Sequence, residues 1–247
     1  TLTVGITGAN LTYTGTTTID AGSLVLLSPN TNFGVFGSAA TVNNGATMSV
    51  DANGTFTDIT KNITLNGGVL AATGAFNGNY GQIFLENGVQ VLATGNNQST
   101  ISAEVHMRGT HVFNVADGTA PIDLLVTGRL SHEHGSNWGA INKTNAGTMR
   151  LANGANGIAG AILNGGTVIT VAGGLGNTAA PGVKIGYYLA DFAANTTLVW
   201  DVCNTEDISV NGNLRIQDGA TATLDTNGNN ITLATSLVGG AVSGALT

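Results

Sequence analysis

The sequence predicts an all-β chain coiled as a parallel β-helix (a β-solenoid) of about ten coils, one continuous segment over 1–247. Three observations carry this. Short runs along the chain alternate polar and apolar residues, the period-two mark of a strand with one buried face. Asn-Gly and Asp-Gly pairs separate the runs, and these residues tolerate the φ > 0 that a tight corner needs. One stretch of the chain also matches another far downstream, which points to a stacked unit rather than a closed domain.

In chain order the strand runs are 23–27, 46–50, 62–65, 88–92, 112–115, 167–171, 213–216 and 222–224. The turns that punctuate them are Asn44-Gly45, Asn53-Gly54, Asn66-Gly67, Asn87-Gly88, Asn164-Gly165, Asn211-Gly212, Asp218-Gly219 and Asn227-Gly228. Such spacing also suits a sandwich or barrel. Aromatic residues are only 5% of the chain, which favours a narrow interior filled by Val, Ile, Leu, Ala and Thr. A coil of roughly 20–25 residues and a rise of about 4.8 Å per coil give a rod about 50 Å long. Asn side chains at the corners are placed to ladder along it. The threonine run Thr14, Thr16, Thr17, Thr18 does not recur from coil to coil in the sequence.

Composition narrows the function. Charged residues are 9% and hydrophobic residues 42%, so the chain has core material and does not read as disordered. Lys+Arg is 7 against Asp+Glu 14, a net charge of −7. With no basic cluster, nucleic acid is excluded as a partner. No apolar run is long enough to span a membrane, and Thr1-Leu2-Thr3-Val4-Gly5 lacks the basic and apolar regions of a secretory leader. Cys203 is the single cysteine; no internal disulfide forms, and a buried, small apolar role is expected for it.

The self-match pairs residues near 1–27 with those near 141–171. In the first copy Gly8-Ala9-Asn10, Tyr13-Thr14-Gly15 and Ala21-Gly22-Ser23-Leu24 carry the pattern. In the second it runs through Lys143, Gly147-Thr148, Ile158-Ala159-Gly160 and Gly165-Gly166-Thr167-Val168. This unit resembles the autotransporter-associated β-strand repeat, with Ala146 where Gly is common and Ile158 where Tyr is usual. The resemblance implies a right-handed parallel β-helix in a passenger-type protein, extracellular or on the outer surface of a Gram-negative type bacterium. It implies no particular activity. Gly244-Ala245-Leu246-Thr247 matches Gly139-Ala140-Ile141-Asn142, just before Lys143, so a partial third copy begins there. The expectation is a segment that continues in a longer chain or stacks end to end.

The chemistry-bearing residues are few. His106, His111, His132 and His134 lie close in sequence, and His106 and His132 are 26 residues apart, near one coil, so a metal or ligand site is one reading. Trp138 beside them reads as a packed loop aromatic or a binding platform. Asp117, Asp123, Glu133, Asp201, Glu206 and Asp207 are candidates for paired-carboxylate chemistry on polysaccharides, against a default role in turns. The leading expectation is a non-enzymatic structural or display role, adhesive through its length, without a cofactor. Expected partners are further copies or coils of itself, surface glycans and neighbouring cells.

Overall fold

The computed structural model describes residues 1–5, 15–27, 39–54, 56–75, 78, 80–132, 139–176, 188–210, 214–235, 238–239 and 245–246. Among them there is no α-helix, and every paired strand is parallel to its neighbour. One sheet has eleven strands, from Leu2–Gly5 to Ala245–Leu246. A second has ten, from Thr17–Ile19 to Val238–Gly239. The chain alternates between them, so each strand bonds to the strand one coil away. This is a β-solenoid.

Alternation in the sequence becomes columns in space. On the first sheet Leu24, Met48, Leu70, Ile101, Val126, Leu151, Thr170 and Trp200 stack inward in register, all buried. On the second, Ile63, Val91, Phe113, Lys143, Leu163, Phe192 and Ile216 do the same. The interior is one or two side chains wide, so each residue packs on the rungs before and after it. The few aromatics enter it too: Trp200, Phe113 and Phe192 are fully buried.

The coils are less regular than a uniform ten. Thr148 pairs with Thr167, 19 residues on, while Val69 pairs with Thr100, 31 residues on. The ladders fix the strands; the corners outside them absorb extra length at small entropic cost. In the middle of the stack short strands form a third face. Thr57–Ile59 pairs with Ile83–Leu85, and Val105–Met107 with Leu130–His132. Thr57–Ile59, Ile83–Leu85 and Val105–Met107 are buried at every position and show no alternation. A strand covered on both sides loses its period-two signal, which is why the sequence did not reveal this face.

The corners use the predicted Asn-Gly and Asp-Gly pairs. Gly45 has φ 77° and Gly219 φ 78°. An amide ladder also forms at one corner. Asn43 Nδ2 donates to Asp20 Oδ1 at 2.7 Å, and Asn66 Nδ2 donates to Asn43 Oδ1 at 2.9 Å. Asn43→Ala removes both bonds and is expected to destabilise by about 1 kcal/mol, since these groups can turn to water. Denaturant titration of the variant checks this.

Candidate functional site

Three of the repeat positions, Lys143, Gly147 and Gly166, converge on one corner. Lys143 lies on the strand Ala140–Thr144, in the inward column between Phe113 and Leu163, and is fully buried. Its Nζ donates to Asn145 O (2.6 Å), Gly147 O (2.5 Å) and, from the next coil, Gly165 O (2.8 Å). An ammonium has three N–H groups, and each finds a carbonyl. The corner is shaped around it. Asn145 takes φ 70° and Gly166 φ 69°, and a Cβ on Gly166 would lie against Nζ, well inside contact distance. Asp123, buried alongside, accepts from Thr148 N (2.7 Å) and Gly118 N (2.9 Å). The lysine therefore clasps two successive coils.

Burial pushes the Lys143 ammonium down to about 8, while Asp123 and Asp117 pull it back up. The folded value lies below the unfolded value of about 10.4, so the unfolded chain binds more protons between them. The protein's stability therefore rises with pH from about 8 to about 10.5, as the cost of burying this charge is relieved, and below 8 that cost is carried in full beside the three bonds. The expected gain is about 3 kcal/mol across that window, at about 1.4 kcal/mol per pKa unit. Denaturation of the protein and of Lys143→Met at pH 7.5 and 10.5 checks this; only the parent should gain.

The remaining repeat positions frame the coils. Leu24 and Val168 point inward and are buried. Gly22 (φ 73°) and Gly160 (φ 152°) stand where a strand is entered, and Gly15 is exposed. Gly8, Asn10 and Tyr13 lie outside the described residues.

Among the described residues the histidines are not brought to one place. His106 is buried on the third face, opposite Ser131, whereas His132 stands opposite Met107. That one-residue offset puts the two rings on opposite faces of their sheet, although they are one coil apart. His106 Nε2 is 3.2 Å from Glu104 Oε1, which also accepts from Arg129 Nη1 at 3.1 Å. His111 belongs to the strand Thr110–Val115 of the second sheet and is fully buried. Its Nδ1 is 2.9 Å from Val89 O and its Nε2 is 2.9 Å from Arg108 O. Burial lowers its pKa, against those carbonyls and Glu86. A neutral ring donates to only one of the two carbonyls. His134, Glu133 and Trp138 lie outside the described residues. Among the described residues no three His, Cys, Asp or Glu side chains gather as a metal centre.

Three of the candidate carboxylates, Asp201, Glu206 and Asp207, are bonded within the fold. Asp201 takes Arg150 Nε at 2.7 Å, from two rungs away. Glu206 accepts from Gly173 N at 2.9 Å, and burial raises its pKa. Asp207 accepts from Ser209 N (2.8 Å), Ser209 Oγ (2.6 Å) and Ala234 N (2.8 Å). Burial pushes its pKa up, and those three bonds together outweigh that push and hold it low. Asp117 is exposed. A further pair, Asp191 and Arg215, carries no signal in sequence spacing and meets only because the register sets the two opposite each other. Arg215 Nε donates to Asp191 Oδ1 at 2.8 Å, and the guanidinium lies 4.2 Å from the Tyr188 ring centre. Cys203 corrects an expectation: it is exposed, not buried. It sits in a left-handed turn at φ 66°, which turns it and its neighbour Val202 outward.

Threonines correct another. Thr18, Thr41 and Thr64 do recur, in register over three rungs of the second sheet. Thr148, Thr167, Thr197 and Thr223 form a longer column on the first. The repetition is hidden in sequence because unequal corners separate the members. Beside the longer column runs an open groove of about 400 Å³, lined by Gly166, Thr167, Asn195, Thr196, Thr197, Thr221 and Thr223. Asn195 Oδ1 accepts from Thr221 N (2.9 Å) and Thr196 Oγ1 from Gly165 N (2.9 Å), which stiffens the wall.

Compared with protein-family models, curated proteins and solved structures, the chain matches none.

Proposed function

We propose that this chain is a rod-forming segment of an extracellular surface protein, structural rather than catalytic, of the autotransporter-repeat kind. The observation that carries the reading is the use of its ionisable groups. Lys143, Asp123, Asp201, Glu206 and Asp207 are each bonded within or between coils. Groups so engaged rigidify a stack and are poorly placed to turn over a substrate. A repeated coil gains stability from each neighbour, so length is cheap to extend and suits display of a surface away from a cell. Low charge fits close stacking of like side chains, which would otherwise repel. In this reading the partners are further coils of the same kind, and glycans or cells met along the rod.

The test is imaging of the longest native polypeptide that contains these residues, with antibody labelling of intact cells. Rods or fibres reached by antibody without permeabilisation support the reading. Short discrete particles inside the cell, or turnover of a polysaccharide by the purified chain, would overturn it.

A further inference from the structure

We propose that the threonine groove on the first sheet binds an uncharged glycan chain. This deepens the display reading by giving the rod a ligand class and a place to hold it. The groove is built by the three strands Gly166–Thr170, Thr196–Trp200 and Thr221–Asp225, one in each of three successive coils. Rungs lie about 4.8 Å apart, and alternate residues along a strand about 6.7 Å apart. Thr167, Thr197 and Thr223 thus set hydroxyls in a row across the rungs, and Asn195 and Thr221, two residues earlier on their coils, set a second row beside it. The Thr167 and Thr197 hydroxyls make no hydrogen bond to the described residues, so both face solvent with donor and acceptor capacity unused. Their backbones are held in ladders on both sides, so the array is preorganised and little is lost in ordering it.

The lining selects the ligand's chemistry. It offers hydroxyls, one amide and backbone, and no ionisable side chain. A charged ligand entering it would shed water without a counter-charge, which is unfavourable. Of the neighbouring cations, Lys143, whose Nζ lies against Gly166, is spent on three carbonyls, and Arg150 is paired with Asp201. An apolar ligand would leave the Thr167 and Thr197 hydroxyls unpaired. A neutral chain of many hydroxyls satisfies both demands. The groove has no aromatic platform and is open, so a single site is weak, with millimolar affinity by the general arithmetic of a few exposed hydrogen bonds. Repetition along a longer rod would raise it by avidity.

The test titrates maltohexaose, cellohexaose and a hexamer of polygalacturonate into ¹⁵N-labelled protein, with Thr167→Val/Thr197→Val in parallel. These are near-isosteric changes at half-exposed sites, and circular dichroism with thermal melting checks that the fold is kept. Saturable shifts from at least one neutral hexamer, centred on Thr167, Thr197 and Thr223 and weakened about tenfold or more in the variant, support the proposal. No saturable shift from either neutral hexamer overturns it. So does binding that the variant retains, or equal affinity for the acidic hexamer. Those results leave the rod reading standing, since imaging tests that separately.

Discussion

Lys143→Met is expected to lower the free energy of unfolding at pH 7 by about 3–5 kcal/mol. Methionine fills nearly the same volume between Phe113 and Leu163, so the packing of the column survives. The loss is polar. Asn145 O, Gly147 O and Gly165 O each give up a charge-assisted bond inside a corner where water has little room. An orphaned carbonyl costs about 1–3 kcal/mol, and the relief of no longer burying an ammonium offsets part of the sum. Because Gly165 lies in the following coil, loosening should extend there. Denaturant unfolding gives the magnitude, and amide exchange at Gly165, Gly166 and Thr167 gives the location. A loss under about 1 kcal/mol would mean the corner rehydrates freely and the clasp is dispensable.

Gly128→Ala is expected to be the most damaging single methyl among the described residues, by more than about 4 kcal/mol or to the point of no soluble yield. Gly128 has no positive φ, so its backbone alone would accept alanine. What forbids the methyl is the coil below. A Cβ would press into Ala103 O and lie 2.6 Å from Ala103 C and 2.9 Å from Ser102 C. Those atoms are backbone at the corner between Ser99–Ile101 and Val105–Met107, with no rotamer to escape through, so the two coils must part there. Gly15→Ala is the contrast: nothing lies within 4 Å of its Cβ, and the change should fall within about 0.5 kcal/mol. Parallel melts of the two variants read the difference directly.

Much of this fold was legible because two signals agree. Alternation set which residues enter the columns, as at Leu24 and Met48, and Asn-Gly pairs set the corners, as at Gly45. What escaped was whatever depends on pairing across unequal coils. The strand Ile83–Leu85 is covered on both sides and reads as a plain apolar run. Thr148, Thr167, Thr197 and Thr223 are separated by different intervals, so no fixed period joins them until the ladders do. His106 and His132 have a coil-like spacing, yet the strands meet one residue out of step, and in a sheet one residue changes the face. Lys143 was singled out as part of a repeat phrase. Its burial was hidden, because a charged side chain at an inward position is legible only once its acceptors can be seen.

The unequal coils have a mechanical consequence. In this stack the hydrogen bonds of each ladder lie along the long axis, so a pull on the two ends loads the rung interfaces in series and the weakest gives way first. When an interface gives way it releases its whole coil, which can extend by at most about 3.5 Å per residue. The coil from Thr148 to Thr167 would then add about 65 Å of length, and that from Val69 to Thr100 about 105 Å. Stretched singly, the molecule should yield in a series of unequal steps, each a measure of the corner that the coil carries. A rod made this way gives ground rung by rung under load while the rest of its length stays folded.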